Sequence, residues 1–254
     1  MLEVRVEDGI AIAEFANGKY NSVRPETLAA LGDVVRRVEA DEALKGLVLT
    51  GRGRTFCSGF DLPTFLGFPD HAAVVRFFSE VADPVFLGLF GCRKPVVAAL
   101  NGAAVAGGLI LAMACDLRVA VDNPKIQLGM SEIKIGLGLS PVHAEILRFG
   151  LGGAARFRDV CYGGERYPVN AAKEMGMVDE LVAEGELLPR AKAIVASWYD
   201  NPGHAFGLLK RSLRGPVIEA TKRIVETSDW QEGFRCFFDP STRAAMEVMA
   251  KSMA

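Results

Sequence analysis

The chain has 254 residues, half of them hydrophobic and 24% charged, with a formal net charge of −2. That composition and length describe a globular chain able to bury a substantial core without disulfides or metals. Near-balanced charge gives no sign of a nucleic-acid or membrane-surface partner, and five cysteines without any C-x-x-C spacing point to reduced thiols in a cytoplasmic setting and no metal site.

At the N-terminus, "MLEVRVEDGIAIAEF" carries acids early and alternates like a strand, unlike a signal peptide. Leu2–Val6 and Ile10–Phe15 flank "EDG", which predicts a hairpin. "RPETLAALGDVVRRVEAD" follows as a helix: Leu28, Leu31, Val34, Val35 and Val38 share one face, and Pro25 stands in the first turn. "GLVLTG" (Gly46–Gly51) reads as a buried strand. "FPDHAAVVRFFSEVADPVFLGLFGC" reads as helical, with a break around Pro84.

Between Pro95 and Asp116 lie twenty uncharged residues, enough to cross a membrane. Asn101, Gly102, Gly107 and Gly108 interrupt the run, so a strand ("VVAAL"), a turn ("NGAAVAGG") and a buried helix ("LILAMA") fit better. "LRVAV" is the next strand. Short apolar strands alternating with helices predict a parallel sheet covered by helices. Three times a strand leads through a glycine-bearing turn toward a helix: "GLVLTGRGRTFCSGFDL", "VVAALNGAAVAGGL" and "LRVAVDNPKIQLGMSEIKIG". One structural unit is used repeatedly. Beyond Glu184 only helical segments follow. This divides the chain into an α/β core, residues 1–190, and a helical region, residues 191–254.

Three segments can carry chemistry. "RTFCSGFDL" turns at Gly59 and presents backbone N–H groups near Phe60; many such turns are only structural. "AVAGGLILAMA" opens a helix at Gly107 and Gly108, whose N–H groups suit an anion, although glycines also serve close packing. In "QLGMSEIKIGLGLSP", Glu132 stands among Leu128, Met130, Ile133 and Ile135, company that raises a carboxylate pKa; a solvated loop glutamate is the plainer alternative. His143 is a further acid–base candidate in the following loop. No G-x-S-x-G elbow or dinucleotide fingerprint is present.

In order and wording, "FCSGFDL", "KPVVAALNGAAVAGGLILAMACDLRVA" and "MSEIKIGLGL" resemble the crotonase (enoyl-CoA hydratase/isomerase) superfamily over about residues 2–185. The resemblance implies a spiral of repeated ββα units with a C-terminal helical appendage. It implies acyl-CoA thioester substrates and no separate cofactor. It also implies an oxyanion hole from the backbone N–H groups of Phe60 and Gly107, with Asp61, Leu62, Gly108, Ile110 and Arg24 around the substrate. Lys19, Arg24, Arg52 and Arg54 lie near segments that surround the nucleotide in the family. The family's hydratases hold a water between two glutamates; the second matches Glu132, and the first falls on Ile110. The chain thus resembles a one-glutamate Δ3,Δ2-enoyl-CoA isomerase, with Glu132 as base. Alternatives are an enoyl-CoA hydratase, an acyl-CoA hydrolase or decarboxylase, or a non-catalytic acyl-CoA-binding protein. Chain length is expected to be read by "LPTFLGFPDHAAVVRFF" and the tail. Helical tails of the family pack across subunits, which implies a homotrimer or a dimer of trimers.

Overall fold

The computed structural model describes residues 1–253. β1 (Leu2–Glu7) and β2 (Ile10–Phe15) form the expected hairpin, with Leu2 opposite Phe15 and Glu7 opposite Ile10. Asp8 and Gly9 at its tip have φ of 55° and 74°, the paired left-handed geometry that matches strand twist in a two-residue turn. α1 (Pro25–Ala40) begins on Pro25 and buries all five residues of the expected apolar face.

Three successive units then build two sheets. β3 (Gly46–Gly51) leads to β4 (Thr55–Cys57) and α2 (Leu62–Leu66). After α3 (His71–Arg76) and α4 (Asp83–Gly91), β5 (Val96–Leu100) leads to β6 (Ala103–Val105) and α5 (Gly107–Ala114). β7 (Leu117–Val121) leads to β8 (Gln127–Gly129), a 3₁₀ turn (Glu132–Ile135) and α6 (Pro141–Gly150). α7 (Ala154–Gly163), β9 (Arg166–Pro168), α8 (Val169–Glu174) and β10 (Glu180–Val182) complete the α/β part. The first strand of each unit enters a six-stranded sheet of order β1-β2-β3-β5-β7-β10; the second enters a four-stranded sheet of order β4-β6-β8-β9. This is the crotonase-like spiral. β3, β5 and β7 are parallel neighbours with almost every residue buried, which is why they read as apolar runs without alternation.

Two local expectations need correction. "NGAAVAGG" is not only a turn: Ala103–Val105 is β6, paired with β4 on one side and β8 on the other, a strand of three residues whose partners are remote in sequence. Nor does Pro84 break its helix. A π-helical turn, Phe77–Ala82, joins α3 to α4, and Pro84 sits in the first turn of α4, where a missing N–H costs little. The wider turn leaves the adjacent Phe77 and Phe78 both buried.

Beyond the α/β part come α9 (Leu187–Tyr199), α10 (Ala205–Thr227), α11 (Trp230–Gly233) and α12 (Pro240–Met253). α9 spans residue 190 and buries Leu187, Ala191, Ile194 and Val195 in the common core. α10 is clipped on by charge. The Lys210 Nζ donates to Asp116 Oδ2 at 2.7 Å, and an Arg214 guanidinium nitrogen lies 3.2 Å from Asp116 Oδ1. Arg214 also donates to the carbonyls of Phe90, Ala114 and Cys115, each at 2.8 Å, so one buried cation closes the C-terminal ends of α4 and α5. Burial holds the Lys210 ammonium below its usual pKa, with Asp116 opposing that shift. Removing the acid strands two buried cations. Asp116→Ala is therefore expected to lower unfolding free energy by about 3–5 kcal/mol, read by denaturant titration.

Candidate active site

Strands β4, β6 and β8 lie side by side and parallel, so the segments leaving their C-terminal ends meet. Those segments carry Phe60, Gly107 and Glu132. The repeated unit thus brings together three residues that are far apart in sequence.

After β4 the chain turns at Gly59, with φ of 93°. Val23 N–H donates to the Gly59 carbonyl at 2.8 Å, and Asp61 N–H donates to the Val23 carbonyl at 2.9 Å. The N–H of Phe60, between them, donates to no group among the described residues. After β6, Ala106 takes φ 53° and ψ −134°, an unfavourable backbone for a residue with a Cβ. Its own N–H is spent on the Gly129 carbonyl at 2.9 Å, and the next N–H, that of Gly107, begins α5 without a partner among the described residues. All eight residues of α5 are buried, so its positive end works in a poorly screened setting. The two turns touch: a Cβ on Gly59 would lie 2.9 Å from the Gly107 nitrogen. Two unused N–H donors on contacting loops suit a developing oxyanion.

Phe60, Gly107, Ile110, Leu62 and Glu132 line a cavity of about 360 Å³. Glu132 is its only carboxylate among the described residues. Its Oε2 is out of contact with solvent and has no hydrogen-bond partner among the described residues. Burial pushes the pKa up to about 7, a proton affinity suited to moving protons near neutrality. Ile110, one turn into α5, is 1% exposed and presents a hydrocarbon surface to the same cavity.

Other residues proposed from the sequence fall outside this cavity. Gly108 is buried against β4, where a Cβ would come within 2.0 Å of the Cys57 carbonyl oxygen, so it serves close packing. Asp61 caps α2, accepting from Thr64 N–H at 3.1 Å, and sits 3.4 Å from Arg24 Nε. Arg24, Asp61 and Lys19 line a separate polar pocket of about 330 Å³, which meets the cavity at Tyr20, Ser252 and Met253. Arg52 is elsewhere, ion-paired with Glu3 and Glu14.

His143 is not in a loop. Ser140 caps α6 by accepting from the His143 N–H at 3.2 Å, which places His143 in the first helical turn, 1% exposed and on the cavity wall. Behind it Ser140 Oγ donates to Asp83 Oδ1 at 2.7 Å. Burial raises Asp83 to about 7 and lowers His143 to about 3, so their approach of 3.6 Å is not a salt bridge between ions near neutral pH. The sequence reading missed Asp83 and Ser140: 57 residues separate them, and only the packing of α4 against α6 joins them. As expected, the α2–α3 region and the tail shape the pocket, through Phe65, Phe78, Phe237 and Met249. No group of three or more His, Cys, Asp or Glu among the described residues is arranged to hold a metal, and no described helix is long and apolar enough to cross a membrane.

A family profile described as enoyl-CoA hydratase/isomerase matches residues 5–233. A putative enoyl-CoA hydratase of Thermus thermophilus is 32% identical over 93% of this chain and 97% of its own. Mitochondrial enoyl-CoA delta isomerase 1 of Rattus norvegicus is 30% identical over 84% of this chain and 73% of its own. Among solved structures, human mitochondrial delta3-delta2-enoyl-CoA isomerase superposes with a TM-score of 0.88 at 26% identity, covering 99% of this chain and 97% of that one. The chain belongs to the enoyl-CoA hydratase/isomerase family, within the crotonase superfamily.

Proposed function

We propose that the protein isomerises 3-enoyl-CoA thioesters to conjugated 2-enoyl-CoA with Glu132 as its single acid–base group. The observation that carries this reading is the pairing of one carboxylate, Glu132, whose Oε2 is closed to solvent, with hydrocarbon at Ile110 in the same cavity. The thioester oxygen accepts from the N–H groups of Phe60 and Gly107. Glu132 takes a proton from C2, the electrons spread over the dienolate and its oxygen, and the proton returns at C4 as the double bond moves to C2–C3. Each N–H donor contributes roughly 3–4 kcal/mol of transition-state stabilisation. Ile110 and the neighbouring rings keep water from the dienolate. Similarity to the rat and human isomerases agrees with this chemistry. Hydration needs a second group to hold and activate water, and Ile110 supplies none. The pocket of Lys19 and Arg24, which shares Tyr20, Ser252 and Met253 with the lining of the cavity, suits the CoA phosphates.

The test is a pair of assays. With 3-hexenoyl-CoA the conjugated thioester chromophore should appear; with crotonyl-CoA it should persist. Fast loss in the second assay would favour a hydratase. Because Glu132 works as a base and its pKa is raised to about 7, kcat/KM should rise with pH through about 7 and then level off. A profile flat from pH 5 to 9 would contradict that role.

The tail supports the assembly reading. Leu208, Leu209 and Leu213 on α10 are 66%, 70% and 63% exposed, an apolar face suited to burial between subunits. Sedimentation is expected to give three or six times the 27.3 kDa of one chain. A monomer would contradict it. Five free cysteines, three of them buried, fit a reducing, cytoplasmic setting.

A further inference from the structure

We propose that Thr242, in the C-terminal helix α12, is a positioning residue for Glu132: its side chain seats the 3₁₀ turn that carries the carboxylate. This role rests on the acid–base reading of Glu132 and deepens it. The turn Glu132–Ile135 closes on Gly136, which takes φ of 72° and donates its N–H to the Ile133 carbonyl at 3.2 Å, while the Leu137 N–H donates to the Glu132 carbonyl at 3.0 Å. None of the four residues of the turn is buried as a whole, so its place is set by the few groups that lean on it. On one side Ile133 and Lys134 lie against Gly164, where a Cβ would come within 2.6 Å of the Ile133 Cγ2. On the other side stands Thr242, 5% exposed: a Cβ on Gly136 would collide with its Oγ1 and lie 3.4 Å from its Cβ.

Thr242 is itself firmly placed. Asp239 caps α12, its Oδ1 accepting from the N–H of Ser241 at 2.8 Å and of Thr242 at 3.3 Å, and Pro240 begins the helix. Thr242, Met246, Met249 and Met253 follow at helical spacing and share one face. Met246 is buried in the core, and Met249 and Met253 line the cavity. Beside that face, an Arg243 guanidinium nitrogen donates at 2.9 Å to the carbonyl of Leu66, the last residue of α2, and α2 follows directly on Phe60 and its cap Asp61. One helix thus touches the glutamate turn, the cavity and the oxyanion side of the site. The ionisable groups around the turn leave the Glu132 carboxylate uncompensated. Lys134 pairs with Glu165 at 2.7 Å, burial pushes the Cys161 thiol of α7 up to about 12, and Thr242 and Met246 of α12 do not ionise. The proton affinity of Glu132 therefore reports how closely the turn is held away from water.

The test moves a methyl group across the contact in the full-length protein. Gly136→Ala drives a Cβ into Thr242 and pushes the turn away from α12; Thr242→Ala removes the obstructing Oγ1; the double variant combines the two. The strain of alanine at positive φ is present in both proteins that carry Gly136→Ala and cancels between them. The Glu132 carboxyl would be titrated by carbon-13 NMR, with thermal melts to show which variants are folded. Wild type should titrate at about 7, and Gly136→Ala well below that, toward the ordinary 4.5, as water reaches the acid. Its kcat for 3-hexenoyl-CoA should fall about tenfold to a hundredfold, the scale of a small misplacement. The double variant should recover most of the kcat and titrate near 7 again. Wild-type titration in folded Gly136→Ala would overturn the proposal, and so would wild-type titration in Thr242→Ala alone, which only removes atoms. A double variant that titrates no higher than Gly136→Ala would overturn it as well. The titration needs no turnover, so a wild-type protein without isomerase activity would overturn the isomerase reading and leave the test of this contact intact.

Discussion

Glu132→Gln should lower kcat for 3-hexenoyl-CoA isomerisation by about a thousandfold while changing KM far less, since the amide keeps the shape and loses the base. The same substitution should make the protein more stable at alkaline pH. Burial raises the folded-state pKa of Glu132 from the ordinary 4.5 to about 7. The folded protein therefore favours the protonated acid, and that advantage is present below about pH 4.5 and lost as pH rises toward 7. Above that window the ionised carboxylate sits at Oε2 without a partner. Glutamine carries no charge there, so the variant should gain stability at pH 8, on the order of 3 kcal/mol at most. Steady-state kinetics and denaturant titration at pH 5 and pH 8 check both halves. A structural glutamate would show the opposite pattern, with stability lost and turnover kept.

Gly59→Ala should lower kcat by about a hundredfold to a thousandfold, the loss typical of spoiling one oxyanion donor. The added Cβ would stand 2.9 Å from the Gly107 nitrogen and 3.0 Å from the Ala106 Cβ, at a φ of 93° that L-residues avoid. Relief requires the two turns to separate, and separation misplaces the N–H groups of Phe60 and Gly107. Gly108→Ala provides the contrast. Its Cβ would meet the Cys57 carbonyl oxygen at 2.0 Å, rigid backbone inside the small sheet, so the dominant effect there is on folding. Thermal melts alongside kinetics separate the two: Gly59→Ala folded and slow, Gly108→Ala poorly folded. Equal turnover in wild type and a folded Gly59→Ala protein would remove these donors from the mechanism.

The spiral explains why so much of this site is legible in sequence. Each unit ends in a turn whose glycine or buried carboxylate has a local cause. Gly59 needs a positive φ, Gly107 begins a helix against another loop, and Glu132 sits among apolar neighbours. The helix faces of α1 and the hairpin at Asp8–Gly9 are equally local, and their residues announce them. What escaped depends on distant partners. β6 is three residues long and exists because β4 and β8 flank it. The π turn at Phe77–Ala82 is a change in hydrogen-bond register that apolar spacing does not reveal. His143 looked like a loop histidine because its cap, Ser140, and its neighbour, Asp83, become meaningful only once α4 packs on α6. Asp61 and Gly108 lie beside the right residues, but the first caps a helix and the second fills a tight contact.

Those local causes converge on one claim, that a single carboxylate carries a proton from C2 to C4 beside two backbone donors. The most direct measurement is isotope transfer. 3-Hexenoyl-CoA carrying deuterium at C2 would be turned over in ordinary water, and the position of the label in the 2-enoyl product read by NMR. Deuterium recovered at C4 in a substantial share of product molecules is the predicted result, because Glu132 Oε2 is out of contact with solvent and the same carboxyl group returns the proton it took. Product with C4 protonated entirely from solvent would contradict the claim and point to a second, water-linked acid in the site.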